Sequence, residues 1–509
     1  MGTSAARQAA LSGLDPEQRA AVSSTAHRLL VVAGAGSGKT RVFTHRIARL
    51  VADGADPASI LALSYTKAAA DEVSERLAAM GVQGVQAMTL HAWCHREPLR
   101  RYSHLIGKEG YRIMDAEGSE DVLRYEMRLG EHGANAAKAM LTAAKNSVDL
   151  EAEELRRAEL VKAYDEILAS RHRLDFDDLQ VKAFELLAEH PEVLAHYRSS
   201  ISHVLIDEYQ DVNQVQHEIL ALLCKNAGPG RPPSLTVVGD PDQAIYGFRG
   251  ADDRYIKGFL TEYTTATRVI LARNYRSTRQ VLKAAEAVIE GNASRLHKKM
   301  VAAGPAPDGV EPWSQMCSSE EDEALLVAQT CAELIASGTA PEQVAVLYRY
   351  HKQAALLEEA LQEAGIAYRR YGGDGEALDD DGRAIPSAGA PRTGPLLPPG
   401  VTIVGLSPAP ADTDEETGRV VLRTVHSAKG LEYDAVILPG WSEGAVPSYR
   451  AEEGSAEMAE ERRVAYVAIT RARETCVITW PAARTVRGGR RMRTRPSRFI
   501  VEIEARQGL

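Results

Sequence analysis

Ten consecutive residues, Val31-Val32-Ala33-Gly34-Ala35-Gly36-Ser37-Gly38-Lys39-Thr40, have the composition needed to hold a polyphosphate. An apolar run, Leu29 to Val32, reads as a buried strand, and Arg41 to Val51 reads as a helix. Glycines in the loop between them let successive backbone N–H groups turn toward phosphate oxygens, and the helix adds its positive end. Ala35, Gly36, Ser37, Gly38 and Arg41 complete the candidate cradle. Lys39 would reach the β- and γ-phosphates, and the Thr40 hydroxyl would ligate Mg²⁺. Ala33 stands where such loops usually open with glycine. A glycine-rich turn can also bind nothing, so its weight depends on the rest of the chain.

Hydrolysis further needs a metal-holding acid and a group that takes a proton from water. His203-Val204-Leu205-Ile206-Asp207-Glu208 is an apolar strand ending in two carboxylates. Asp207 would hold Mg²⁺ and Glu208 would act as the base. A second strand, Leu235–Gly239, runs into a loop carrying a polar sensor, Gln243, and a stacking set, Tyr246, Phe248 and Arg249. Further along, Arg276 and Arg471 offer positive charge to a γ-phosphate. Gln18, just before the phosphate loop, carries an amide able to pair with adenine.

These residues sit in an ordinary globular composition, 44% hydrophobic and 26% charged over 509 residues, enough for two to four domains. The net charge of -10 excludes a general positive field, so any nucleic-acid site must be a local groove. Five cysteines without C-x-x-C spacing read as buried thiols in a reducing compartment. The amino-terminal stretch lacks an apolar signal core and no run approaches a membrane span, which points to an intracellular protein, cytoplasmic or else nucleoid or nuclear, with no membrane partner.

The positioning elements follow in order. Residues 1–13 read as a loose tail, and Asp15-Pro16 caps a helix. Ile60–Tyr65 is a second buried strand, with Thr66 capping a helix to Ala79. Thr89-Leu90-His91-Ala92-Trp93-Cys94 places aromatics at another strand–helix junction. The first α/β domain is read as 14–104 with 175–266, interrupted by a helical insertion over 105–174. A second α/β domain is read as 267–372 with 418–500. Its strands are Arg268–Ala272, Val344–Tyr348, Val420–Thr424, Ala435–Leu438 and Thr475–Trp480. Between its halves, 373–417 is rich in Gly, Pro, Ala and Asp and reads as a linker.

Together, from Leu14 to about Ile500, the order and wording of these stretches resemble the UvrD/PcrA/Rep family of superfamily 1 DNA helicases. The resemblance implies two RecA-like P-loop NTPase domains, parallel sheets flanked by helices, that close on ATP and move 3′→5′ on single-stranded DNA. It implies Gln18 and Tyr275 at adenine, Lys39, Gln243, Arg276 and Arg471 on phosphates, Thr40 and Asp207 at Mg²⁺, Glu208 as base and Glu432 at ribose. Tyr65, His91, Tyr246, Phe248 and Arg249 fall where the family grips its strand, and Thr66, Thr424 and His426 join these candidates.

Three departures stand out. The family's Thr-Phe-Thr-Asn-Lys-Ala-Ala is Ser64-Tyr65-Thr66-Lys67-Ala68-Ala69-Ala70 here, with Lys67 as a possible replacement for the missing lysine. The linker 373–417 stands in place of the family's 2B domain, and the carboxy-terminal extension of some relatives is absent. The implied partners are single-stranded or 3′-tailed DNA, with a protein supplying the 2B role. The implied activity is a translocase or helicase of repair, replication or recombination. The rival readings are a DNA-stimulated NTPase subunit of a repair or defence complex, an ATP-gated DNA-binding displacement protein, and an RNA helicase.

Overall fold

The computed structural model describes residues 3–225, 230–304, 308–372, 418–486 and 490–508. It divides into two compact units, Met1–Tyr275 with Ser294–Met300, and Arg276–Ala293 with Val301–Leu509. The linker read over 373–417 lies outside the described residues.

The first unit is built on six strands: β1 (Arg28–Ala33), β2 (Ile60–Ser64), β3 (Gln86–Thr89), β4 (His203–Ile206), β5 (Ser234–Gly239) and β6 (Thr267–Leu271). They pair in parallel in the order β3-β2-β4-β5-β1-β6. Alternation along β1 explains its unbroken apolar run: Leu30 and Val32 enter the core on one face, and Leu29, Val31 and Ala33 the core on the other. Helices α1 (Thr3–Ala9), α2 (Pro16–Ser23), α3 (Lys39–Ala52) and α4 (Lys67–Ala79) belong to this unit. Thr66 caps α4 by accepting from Ala69 N–H, and Asp15 and Gln18 form a reciprocal capping box on α2.

Two boundaries differ from the sequence reading. Residues expected in a loose tail form α1, with Arg7 paired to Asp53 at 2.6 Å. The strand expected to open the second domain is β6, whose Val269 pairs in register with Val31 at the edge of the first sheet. A strand's apolar pattern shows that it is a strand, not which sheet receives it, and the chain first changes unit at Arg276.

The insertion between β3 and β4 includes the helices Ala116–Asp121, Glu131–Lys145, Leu150–Arg157 and Glu159–Ser170. They enclose a separate core around Val122, Leu141, Val161, Tyr164 and Leu168. At their base Lys145 meets Asp165, Asp175 and Asp178 at 3.0, 2.7 and 2.8 Å.

The second unit holds β7 (Trp313–Cys317), β8 (Val344–Tyr348), β9 (Tyr368–Arg370), β10 (Val420–Thr424), β11 (Tyr433–Leu438) and β12 (Ala472–Pro481). They too are parallel, in the order β7-β12-β11-β8-β10-β9. Both edge strands escape sequence reading: β7 is largely exposed and β9 has three residues. All five cysteines are buried, unpaired thiols. Among the described residues no helix is long and apolar enough to cross a membrane.

Candidate nucleotide site and nucleic-acid surface

β1 delivers the chain into a loop whose Gly36 and Gly38 have φ of 64° and 81°, left-handed values that favour glycine. Ser37 closes the turn by donating its hydroxyl to Gly34 O at 2.8 Å. α3 then begins at Lys39, with Thr40 in its first turn. Two distant segments fasten this loop. Gln18 Nε2 donates to Ser37 O at 3.0 Å, while its Oε1 accepts from Asp15 N–H at 3.2 Å. Asn274 Nδ2 donates to Ala35 O at 2.6 Å, and Tyr275 N–H donates to Gly36 O at 2.8 Å. The Tyr275 hydroxyl donates to Asp15 Oδ2 at 2.6 Å. Gln18 and Tyr275 therefore meet at the cradle through Asp15. The buried Gln18 amide keeps one N–H and one lone pair beyond these bonds.

β4 ends at the acid pair. Glu208 has φ of 53°, a left-handed backbone unusual for a side chain with Cβ, which turns it toward Lys39. Lys39 Nζ lies 3.0 Å from Glu208 Oε1 and 3.5 Å from Gln243 Oε1. Gln210 Nε2 also donates to Glu208 Oε2, at 2.5 Å. Burial, and then the charge of Glu208, push the Asp207 carboxyl up to about 7. An acid pair beside the phosphate-loop lysine is an environment suited to a divalent cation. Thr40 and Asp207 fit Mg²⁺, which takes few protein ligands and completes its shell with water and phosphate oxygens.

The same unit carries an aromatic surface. Tyr65, at the end of β2, stacks on Tyr246 with ring centres 5.2 Å apart and planes 12° apart. Tyr246 meets Phe248 edge-on at 6.1 Å, and the Arg249 guanidinium lies 5.5 and 5.7 Å from the two rings. Phe248 is 62% exposed, which is unusual for phenylalanine in a loop anchored by buried neighbours. His91 stacks on the exposed Phe176 at 4.3 Å. Tyr65, Thr66, His91, Phe176 and Arg249 line one cavity of about 690 Å³ that also reaches Asp207 and Glu208. Thr66 contributes to its wall while its hydroxyl caps α4. Lys67 also lines it and pairs with Asp71 at 3.3 Å.

In the second unit Arg276, Glu432 and Arg471 come together. Arg276 Nε pairs with Glu432 Oε2 at 2.5 Å and its NH1 donates to Thr470 O at 3.5 Å. Arg471 is 1% exposed, and all three of its nitrogens donate, to Val467 O, Leu431 O and Thr470 Oγ1. Glu432 also takes Arg473 at 2.6 Å. Burial raises the Glu432 carboxyl, but Arg276 and Arg473 outweigh it and hold it below its usual range. Thr424 is buried at the end of β10, where its hydroxyl accepts from Ser427 N–H, and His426 lies in the turn that follows.

Sequence reading misses Asp15, Phe176, Gln210 and Asn274. Phe176 had a visible signal, a lone aromatic among acids in Asp175-Phe176-Asp177-Asp178. Gln210 and Asn274 had none, because their partners lie far away in sequence.

The chain resembles known proteins over most of its length. The family model described as the UvrD/REP helicase N-terminal domain matches residues 14–264. The UvrD-like helicase C-terminal domain matches 269–375 and 401–482. The chain is 34% identical to the ATP-dependent DNA helicase UvrD2 of Mycobacterium tuberculosis (strain ATCC 25618 / H37Rv), covering 96% of this chain and 81% of that protein. It is 31% identical to UvrD1 of the same strain, over 97% and 85% of the two chains. It is 30% identical to PcrA of Staphylococcus epidermidis (strain ATCC 12228 / FDA PCI 1200), over 97% and 87%. The chain belongs to the UvrD/REP helicase family.

Proposed function

We propose that this DNA-dependent ATPase of the UvrD/REP helicase family is a 3′→5′ single-stranded DNA translocase that opens 3′-tailed duplexes during repair, replication or recombination. The observation that carries the reading is the cavity that joins the acid pair to the aromatic surface within one unit. ATP seats its phosphates on the loop 34–38, with Lys39 against the β- and γ-oxygens. Gln18 and Tyr275 flank the adenine, and Glu432 is assigned to the ribose. Mg²⁺, when bound by Thr40 and Asp207, supplies charge that neutralises the phosphate oxygens. Glu208 takes the proton of the attacking water. Gln243 senses the γ-phosphate, and Arg276 and Arg471 act as arginine fingers, groups worth about 10³–10⁵ in rate where they have been measured.

Tyr65, Tyr246, Phe248 and Arg249 hold the strand by stacking, with Thr66, His91, Thr424 and His426 along its path. Because Tyr65 follows β2 beside Thr66 and Tyr246 shares the loop after β5 with Gln243, a change at the γ-phosphate alters the grip. A DNA substrate suits a cytoplasmic, nucleoid or nuclear location.

A second reading, an ATPase subunit that leaves strand separation to a partner, is favoured by length: 509 residues align to the three relatives over 577, 664 and 644 positions. Strand separation measured on a 3′-tailed fork with the isolated chain decides between them. Unwinding supports the autonomous helicase, and ATP turnover without unwinding supports the subunit.

A further inference from the structure

The chain leaves the first unit at Arg276, returns for seven residues, Ser294–Met300, and leaves again. This short return is not a surface crossing. Lys298 is buried and pairs with two buried acids, Asp240 and Asp242, the latter at 2.7 Å. Arg295 makes a two-pronged bond to Asp242, at 3.0 and 2.7 Å. Leu296 packs on the apolar core, and a Cβ added at Gly34 would lie 2.3 Å from Met300 Sδ. The seven residues thus form a strap seated on both the phosphate loop and the turn after β5.

What the strap holds is the sensor. Asp240 accepts from Lys298, from Asp242 N–H at 3.0 Å and from Gln243 Nε2 at 2.6 Å. Gln243 Oε1 in turn faces Lys39 at 3.5 Å. A continuous polar chain therefore runs Lys298–Asp240–Gln243–Lys39. The Gln243 donor is held by a carboxylate whose charge Lys298 shares, so the strap governs how firmly the amide is kept and where it points. Two fully desolvated ion pairs cost much to form, and a plain connector has no need of them.

Resting on the helicase reading above, we propose that Arg295 and Lys298 are positioning residues for the γ-phosphate sensor Gln243. Through them the strap couples the second unit, to which it is covalently joined at both ends, to the phosphate site. Displacement of the second unit pulls on Asp240 and Asp242 and re-aims Gln243, and an arriving γ-phosphate does the reverse.

The test uses the full chain and the variants Lys298→Ala, Arg295→Ala and Arg295→Lys. Hydrogen–deuterium exchange of residues 240–246 is followed with and without a slowly hydrolysed ATP analogue and Mg²⁺. In the native chain the analogue should slow exchange there. Both alanine variants should lose most of that response, and Arg295→Lys should recover part of it because it keeps a charge on Asp242. In steady state with single-stranded DNA, the alanine variants should lose about tenfold in kcat while KM for ATP changes less than about twofold.

A merely structural role would lower the thermal midpoint yet leave the analogue response of the folded protein intact. Should Lys298→Ala fail to fold, the Arg295 pair decides. A native-sized response in Arg295→Ala, or no response at 240–246 in the native chain, overturns the proposal. Native turnover indifferent to DNA would count against the helicase reading instead, and the exchange readout would still decide the strap.

Discussion

Lys39 Nζ lies 3.0 Å from Glu208 Oε1, so the cradle's cation and the candidate base form one electrostatic pair. A γ-phosphate competes with Glu208 for the same ammonium, and its arrival frees the carboxylate to face water. Glu208→Gln should therefore bind ATP at least as well as the native chain, while turnover falls by about 10²–10⁴, the range of a lost general base. Equilibrium nucleotide binding and steady-state turnover on the same sample check both halves. Retained turnover would remove Glu208 from the mechanism.

The ring of Phe248 is exposed, with Tyr246 edge-on to it and the Arg249 guanidinium beside it. Phe248→Ala should weaken single-stranded DNA binding by about 1–3 kcal/mol with little dependence on sequence. Phe176→Ala should act in the same direction, because its ring covers His91. Fluorescence anisotropy on homopolymer strands measures each loss, and unchanged affinity in both would move the strand away from these rings.

Lys145 pairs with Asp165, Asp175 and Asp178, and the side chains of the last two are nearly buried. Lys145→Ala takes this cation from the nearly buried Asp175 and Asp178 at the base of the helical insertion, and a loss of about 3–5 kcal/mol is expected. Urea unfolding followed by circular dichroism measures it. A loss under about 1 kcal/mol would show that water already screens the cluster.

His91 carries a pH signature. Burial pushes its imidazole down to about 4, and its buried Nε2 has no hydrogen-bond partner among the described residues. The unfolded chain takes this proton near 6.5, so between about 6.5 and 4 it binds more protons than the folded chain. Stability contributed by neutral His91 is complete above 6.5 and lost as pH falls through that window. The thermal-midpoint difference between native and His91→Phe should be flat above pH 7 and shift in favour of the variant below 6. A difference constant across pH would contradict the burial.

The parallel sheets and the cradle were legible because buried strands write continuous apolar runs and helix starts are marked locally, as by Asp15-Pro16 and Thr66. Lys39, Asp207, Glu208 and Gln243 converge because each lies at or just beyond the carboxyl end of a strand of one sheet, or on the helix that follows it. What stayed hidden was pairing over distance. The assignment of β6 depends on β1, more than two hundred residues earlier, and the acids at 240 and 242 depend on Arg295 and Lys298. The commitment of Arg471 to carbonyls of its own unit was equally invisible, since an arginine on a helix end gives no local sign of burial.

The most direct measurement is ATP turnover by the native chain, with and without single-stranded DNA, beside Lys39→Ala. Steep stimulation by DNA that vanishes in Lys39→Ala is the expected result. Turnover that ignores DNA, or that survives loss of the Lys39 ammonium, would contradict the coupling of this cradle to a nucleic-acid strand.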